Sequence, residues 1–167
     1  MSEPVIRTAT ADDAEAAAAC HVACWREAYA GLVDADVLAR RTGDLATRIE
    51  RWRAFATQDP PRWLATWGDE VVGFAAAGPG RDDDVEVALE LYAIYVRAAW
   101  HGAGVATRLL HRAIGDAPAY LWMFDGNARA ASFYARHRFV PDGTRKHDPD
   151  FGVDEVRLTR RQSSARR

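Results

Sequence analysis

Apolar positions change their period several times along the chain, and each change marks an element. Val5-Ile6-Arg7 reads as a short first strand. Asp12 and Asp13 then open an Ala-rich helix in which Val22, Trp25 and Tyr29 recur at helical spacing, until Gly31 stops it. A second helix is predicted from about Asp36 on the stripe Leu45, Ile49, Trp52 and Ala56, and Gln58-Asp59-Pro60-Pro61 ends it. Two apolar runs, 63–67 and 71–77, flank Gly68-Asp69, a hairpin signature. Residues 79–84 read as a solvated polar loop, and 85–96 is the most strand-like stretch. A helix over 103–114, a strand over 120–124 and a helix over 128–137 follow. Further strands start at Phe139-Val140 and span 153–159.

The predicted order is β-α-α-β-β-β-α-β-α-β-β. Alternating strands and helices from residue 85 onward require parallel pairing there, while hairpins at both ends require antiparallel pairing. The fold class is therefore mixed α/β, one domain over 1–160, with a central sheet of about seven strands and helices on both faces. The basic, Ser-containing stretch 161–167 is expected to be a disordered tail.

Charge and cysteine content narrow the function classes. The formal net charge is −2, so no bulk attraction draws the chain to nucleic acid or anionic lipid. No apolar run approaches membrane-spanning length, and Met1-Ser2-Glu3-Pro4 is not followed by an apolar signal segment. Cys20 and Cys24 sit four apart on one helix face, an arrangement poorly suited to a disulfide. With His21 they admit a metal reading, but small residues packed on a helix is the simpler one, and no other Cys or His has matching spacing. The expectation is a cytoplasmic protein without metal, nucleic acid or membrane partner; a homodimer is left open.

The chemistry concentrates at Ala99-Trp100-His101-Gly102-Ala103-Gly104-Val105-Ala106-Thr107, between the best strand and an amphipathic helix. A helix N-terminus offers unpaired N–H groups and a partial positive charge, and glycine lets a phosphate approach the backbone. No Lys-Ser or Lys-Thr follows, which rules against a P-loop. A dinucleotide site would use Gly102 and Gly104, with Asp125 about 20 residues on as the ribose acid. Thr107 replaces its third glycine, however, and too little chain remains for further βαβ units.

This segment resembles the coenzyme A motif of the GCN5-related N-acetyltransferase (GNAT) superfamily, Gln/Arg-x-x-Gly-x-Gly/Ala. His101 takes the Gln/Arg position, and Gly104 and Ala106 are the small residues. Asn127, Ala130, Phe133, Tyr134 and Phe139 are similar to that superfamily's second signature, with Arg138 where glycine is common. The element order matches nearly throughout. The resemblance implies an acetyl-CoA-dependent N-acetyltransferase acting on a small-molecule or peptide amine by direct attack. The alternative is an acyl-CoA-binding sensor without catalysis. A basic-tailed interaction protein, for which Arg160, Arg161, Arg166 and Arg167 speak, is a third reading.

Acetyl transfer needs a deprotonated amine, a stabilised oxyanion, a protonated thiolate and aligned substrates. The resemblance implies that backbone groups of Ile94, Tyr95 and Val96 hold the pantetheine arm and polarise the thioester. By the same resemblance, residues 101–107 (His101 to Thr107, through Gly102, Ala103, Gly104, Val105 and Ala106) bind the pyrophosphate. Glu90 lies in an apolar strand, where burial disfavours the charged form of a carboxylate, as suits a general base. It alternatively faces solvent or pairs with an arginine. Tyr134 is a core aromatic by periodicity and, by resemblance, the acid that protonates the thiolate. Asn127 is an N-cap or, by resemblance, a pantetheine ligand, and Phe133 accompanies it. Trp25, Tyr29, Tyr92 and Trp122 are candidates for an acceptor pocket or for core, and the resemblance places Trp25 and Tyr29 on its wall.

Overall fold

The computed structural model describes residues 3–162. Strands β1 (Val5–Thr8), β2 (Trp63–Trp67), β3 (Glu70–Pro79), β4 (Leu89–Val96), β5 (Ala119–Phe124), β6 (Val140–Asp148) and β7 (Val153–Arg160) form one sheet in the order β1-β2-β3-β4-β5-β7-β6. Helices α1 (Ala14–Tyr29), α2 (Ala35–Gly43), α3 (Leu45–Phe55), α4 (Val105–Ile114) and α5 (Ala128–Arg136) cover it. Only β4 and β5 run parallel, as a strand–helix–strand crossover through α4 demands; every other neighbour is antiparallel. Among the described residues no helix is long and apolar enough to cross a membrane.

Alternation along the strands separates two layers. Leu64 and Phe74 turn to one face, where Ala17, Cys20 and Cys24 of α1 and Trp52 of α3 meet them. Ala65 and Ala75, one position on, turn to the other and receive Val105 and Leu109 of α4. Leu121 and Met123 continue that second face toward Leu110 of α4 and Tyr134 of α5.

Three expectations are corrected. The single helix from Asp36 is two, because Asp44 breaks it and caps α3 through the N–H of Thr47 at 3.0 Å. The strand expected over 85–96 begins only at Leu89; Glu86 and its neighbours extend the loop that delivers Arg81 and Asp82 to the sheet. The strand seen in sequence only at its start continues to Asp148 although mostly exposed, because β7 pairs with it on one side. Of the tail expected at 161–167, residues 163–167 lie outside the described residues.

Candidate active site

The cleft arises where two strands part. β3 pairs with β4 along its whole length, from Pro79↔Leu89 to Gly73↔Val96. On the other side, β4 and β5 share one register pair, Glu90↔Tyr120. Beyond it the β4 edge has no strand partner, and Ile94, Tyr95 and Val96 line a cavity of about 410 Å³. The first turn of α4, one face of α5, and Cys24, Glu27 and Ala28 of α1 form its other walls.

The glycine turn sits at one end of this cavity. Gly102 and Gly104 have φ of 81° and 76°, and a Cβ on either would meet no atom within 4 Å. Gly104 caps α4 without a side-chain hydrogen bond. The N–H groups of Gly102, Gly104, Val105, Ala106 and Thr107 have no partner among the described residues, and Arg108 is the first whose N–H closes a helical bond, to Gly104 O at 3.1 Å. These donors converge at the positive end of a helix, next to open space, so the turn fits a pyrophosphate.

Two details of the turn depart from expectation. Ala103 is not on the cavity wall, because its N–H is turned back to Trp100 O at 3.3 Å. His101 lines the cavity, but its Nε2 lies 2.9 Å from the Val96 carbonyl, so the ring braces the turn instead of standing free as a phosphate donor. Cationic charge comes from Arg129 and Arg136 of α5, which sequence reasoning missed. Their signal was present: Arg129, Phe133 and Arg136 are a helical stripe.

Tyr134 is buried against Phe139 and also faces the cavity. Its hydroxyl makes no hydrogen bond to a described residue. Burial first, and then the nearby Tyr95, raise its pKa, so the phenol stays protonated at neutral pH. Asn127 serves as the N-cap of α5, accepting from Ala130 N at 3.1 Å, while lining the cavity beside Phe133. The cap occupies its amide oxygen and leaves its NH₂ for the cavity.

Glu90 requires a correction. It is buried, and Arg81 grips it with Nη2–Oε1 at 2.6 Å and Nε–Oε2 at 3.0 Å. The Arg81 N–H at 3.1 Å and the Tyr120 hydroxyl at 3.0 Å complete the set. Both oxygens are engaged and Glu90 is not on the cavity wall, so the arginine-paired alternative describes it. The metal reading of the cysteines also gives way to packing. Their sulfurs lie 3.8 Å apart among buried residues, and His21 Nδ1 accepts from Trp52 Nε1 at 3.3 Å.

On the opposite face of the gap lies an aromatic cluster. Trp25 and Tyr29 of α1 meet Phe151, with ring centroids 5.1 and 6.0 Å away, and the Tyr29 and Tyr95 hydroxyls hydrogen-bond to each other. Trp122 and Tyr92 stand apart from it. Trp122 donates to Asp82 at 2.9 Å under the Lys146 ammonium, and Tyr92 donates to Pro79 O at 2.5 Å beneath Arg81. The structure thus brings together Trp25 and Tyr29 and separates them from the other two.

The family model for the acetyltransferase (GNAT) family matches residues 14–139. An uncharacterized N-acetyltransferase of Mycobacterium tuberculosis is 31% identical over 135 residues, covering 76% of this chain and 77% of its own. Among solved structures, the PaiA N-acetyltransferase of Thermoplasma acidophilum in complex with coenzyme A superposes with a TM-score of 0.72 at 17% identity, over 96% of this chain and 99% of that one. YncA of Salmonella typhimurium, determined with acetyl-CoA, gives 0.71 at 19% identity over 99% and 98%. At these identities the two structures speak for the fold.

Proposed function

The chain belongs to the acetyltransferase (GNAT) family, and from that premise we propose that it transfers an acetyl group from acetyl-CoA to a primary amine by direct attack. The observation that carries this reading is the set of unpartnered N–H groups of Gly102, Gly104, Val105, Ala106 and Thr107 at one end of a cavity whose other end is the gap between β4 and β5.

The turn holds the pyrophosphate through backbone N–H groups, and Arg129 and Arg136 add positive charge on the far wall. The pantetheine arm runs along the unpaired edge of β4, where backbone N–H groups around Ile94 to Val96 polarise the thioester carbonyl. The amine enters from the aromatic side of the gap, and its lone pair forms the C–N bond as the C–S bond breaks. Tyr134 donates its proton to the departing sulfur and regains one released by the nitrogen through water.

Both substrates bind together before chemistry, so initial rates should give intersecting lines when each is varied. Release of the coenzyme A thiol from acetyl-CoA across a panel of primary amines tests the reading. Tight acetyl-CoA binding with no turnover on any amine would favour an acyl-CoA sensor instead.

A further inference from the structure

The aromatic side of the gap carries two charged groups that nothing described so far employs. The first is Glu155 on β7, the register partner of Phe124 on β5, so both side chains project from the same face of the sheet. Its side chain is only 16% exposed. Burial is the main cause that raises its pKa; Lys146 and Asp148 of β6 and Arg81 of the loop before β4 act on it as well. The Lys146 ammonium is 3.5 Å from Oε2 and divides its charge with the Trp122 ring. Burial is the main cause that raises the pKa of the Tyr29 and Tyr95 hydroxyls, and the negative charge of Glu155 adds to it as the last of the causes. The Phe124 ring lies 4.7 Å from that of Tyr29, whose hydroxyl bonds that of Tyr95 on the cavity wall, so Glu155 stands on the cluster side of the gap.

The second group is Arg48 of α3. Its guanidinium lies 4.5 Å over the Trp25 ring, and its Nε is buried without a hydrogen-bond partner. Nη2 donates to the Arg41 carbonyl at 2.7 Å, and no carboxylate among the described residues pairs with it. Burial, Arg51 and Arg41 all lower its pKa, whereas Asp44, outside ion-pair distance, and Tyr95 raise it. A guanidinium that surrenders hydration and receives no anion is costly unless a ligand supplies one. The indole N–H of Trp25, buried beneath it, also lacks a hydrogen bond of good geometry, although it acts on the Tyr95 hydroxyl.

We propose that the aromatic side of the gap takes an amine that also carries an anionic group, an acceptor of the amino-acid class, with the anion held by Arg48 and the ammonium proton taken by Glu155. This inference rests on the acetyl-transfer reading and specifies its acceptor. The ammonium gives one proton to a Glu155 oxygen, and the freed lone pair attacks the thioester carbon. The C–S electron pair leaves on sulfur, which takes the Tyr134 proton. The second nitrogen proton restores Tyr134 through water, and Glu155 releases its own to solvent. One amide, one thiol and one proton result.

The test compares amino acids with their decarboxylated amines under saturating acetyl-CoA, in wild type, Arg48→Met and Glu155→Gln. Wild type should show at least about a ten-fold lower KM for an amino acid than for its amine partner, the scale of one charge-assisted contact. Arg48→Met should abolish that preference through KM. Glu155→Gln should lower kcat by about 10²-fold or more and remove the acidic limb of the pH–rate profile. Calorimetric acetyl-CoA affinity and thermal melts should stay near wild type in both variants. Equal KM values for acid and amine in wild type, or a wild-type pH profile in folded Glu155→Gln, would overturn the inference while turnover itself leaves acetyl transfer standing. Failure to bind acetyl-CoA and to turn over any amine would overturn both.

Discussion

Glu90 and Tyr120 face each other at the single register pair of β4 and β5, and the Tyr120 hydroxyl donates to the Glu90 carboxylate across it at 3.0 Å. Arg81 closes the same carboxylate from the loop before β4. The pair therefore fixes the vertex from which the two strands diverge. Glu90→Gln keeps an acceptor for Tyr120 but loses the charge opposite Arg81. Arg81 is itself 67% exposed and recovers hydration, so a cost of about 1–2 kcal/mol is expected, below that of breaking a fully buried pair. A chemical melt should show this loss while the shape of the pH–rate profile stays the same. A folded Glu90→Gln protein with a displaced profile would return Glu90 to the chemistry.

Gly104 should be intolerant for two separable reasons. At φ 76° any L side chain is strained by about 1–2 kcal/mol, and a methyl group would enter the open space beside the unpartnered N–H groups. Gly68, at φ 58° in the β2–β3 hairpin, shares the strain and also has free space around it, but stands away from the cavity. Gly104→Ala and Gly68→Ala should thus lose similar stability, and only the former should weaken acetyl-CoA binding, by ten-fold or more. Equal acetyl-CoA affinities in the two folded variants would remove the pyrophosphate from the turn.

His21 makes stability depend on acid. Burial, followed by Arg48 and Arg62, pushes its pKa down to about 3. In the unfolded chain it is about 6.5, so between these values the unfolded state binds a proton that the folded state refuses. Stability should therefore fall as pH drops below about 6.5, by up to about 1.4 kcal/mol per pH unit from this residue, and not change above it. His21→Gln keeps an acceptor for Trp52 and removes the titration. Urea denaturation from neutral pH downward should give a shallower acid loss in the variant. Parallel curves would show that His21 does not supply the slope.

Local rules explain which parts of this were legible from sequence. The hairpin at Gly68-Asp69 and the glycine turn before α4 were readable because each is written within a few consecutive residues. Arg138 illustrates a position where composition misdirects. It replaces the expected glycine yet adopts φ 67°, and Phe139 N still reaches Tyr134 O at 3.0 Å, so the turn leaving α5 is kept with an arginine in the left-handed region. Glu90 was misread because its partner, Arg81, comes from a loop whose path no periodicity reports. Arg48 and Glu155 were invisible as a pair for the same reason, since α3 and β7 reach the aromatic cluster, over Trp25 and beside Phe124, only through the tertiary fold.

Tyr134 offers the sharpest separation of packing from chemistry. Its ring sits in the core with Leu121 and Phe139, and Tyr134→Phe preserves that contact. The hydroxyl has no partner among the described residues, so deleting it strands no donor or acceptor and should leave the melting temperature near wild type. Its raised pKa means that the phenol is protonated across the neutral range, and no stability change with pH is expected from it there. If the hydroxyl protonates the leaving sulfur, the variant loses a general acid, a contribution of about 10²–10⁴-fold. Water can enter the space left by the oxygen, so the loss should lie near 10², in kcat, with acetyl-CoA affinity preserved. Loss of the acid should also make the rate sensitive to the leaving group, and an acetyl thioester of a more acidic thiol should recover part of it. A folded Tyr134→Phe protein running at the wild-type rate with a saturating acceptor would assign the proton to water and leave Tyr134 to the core.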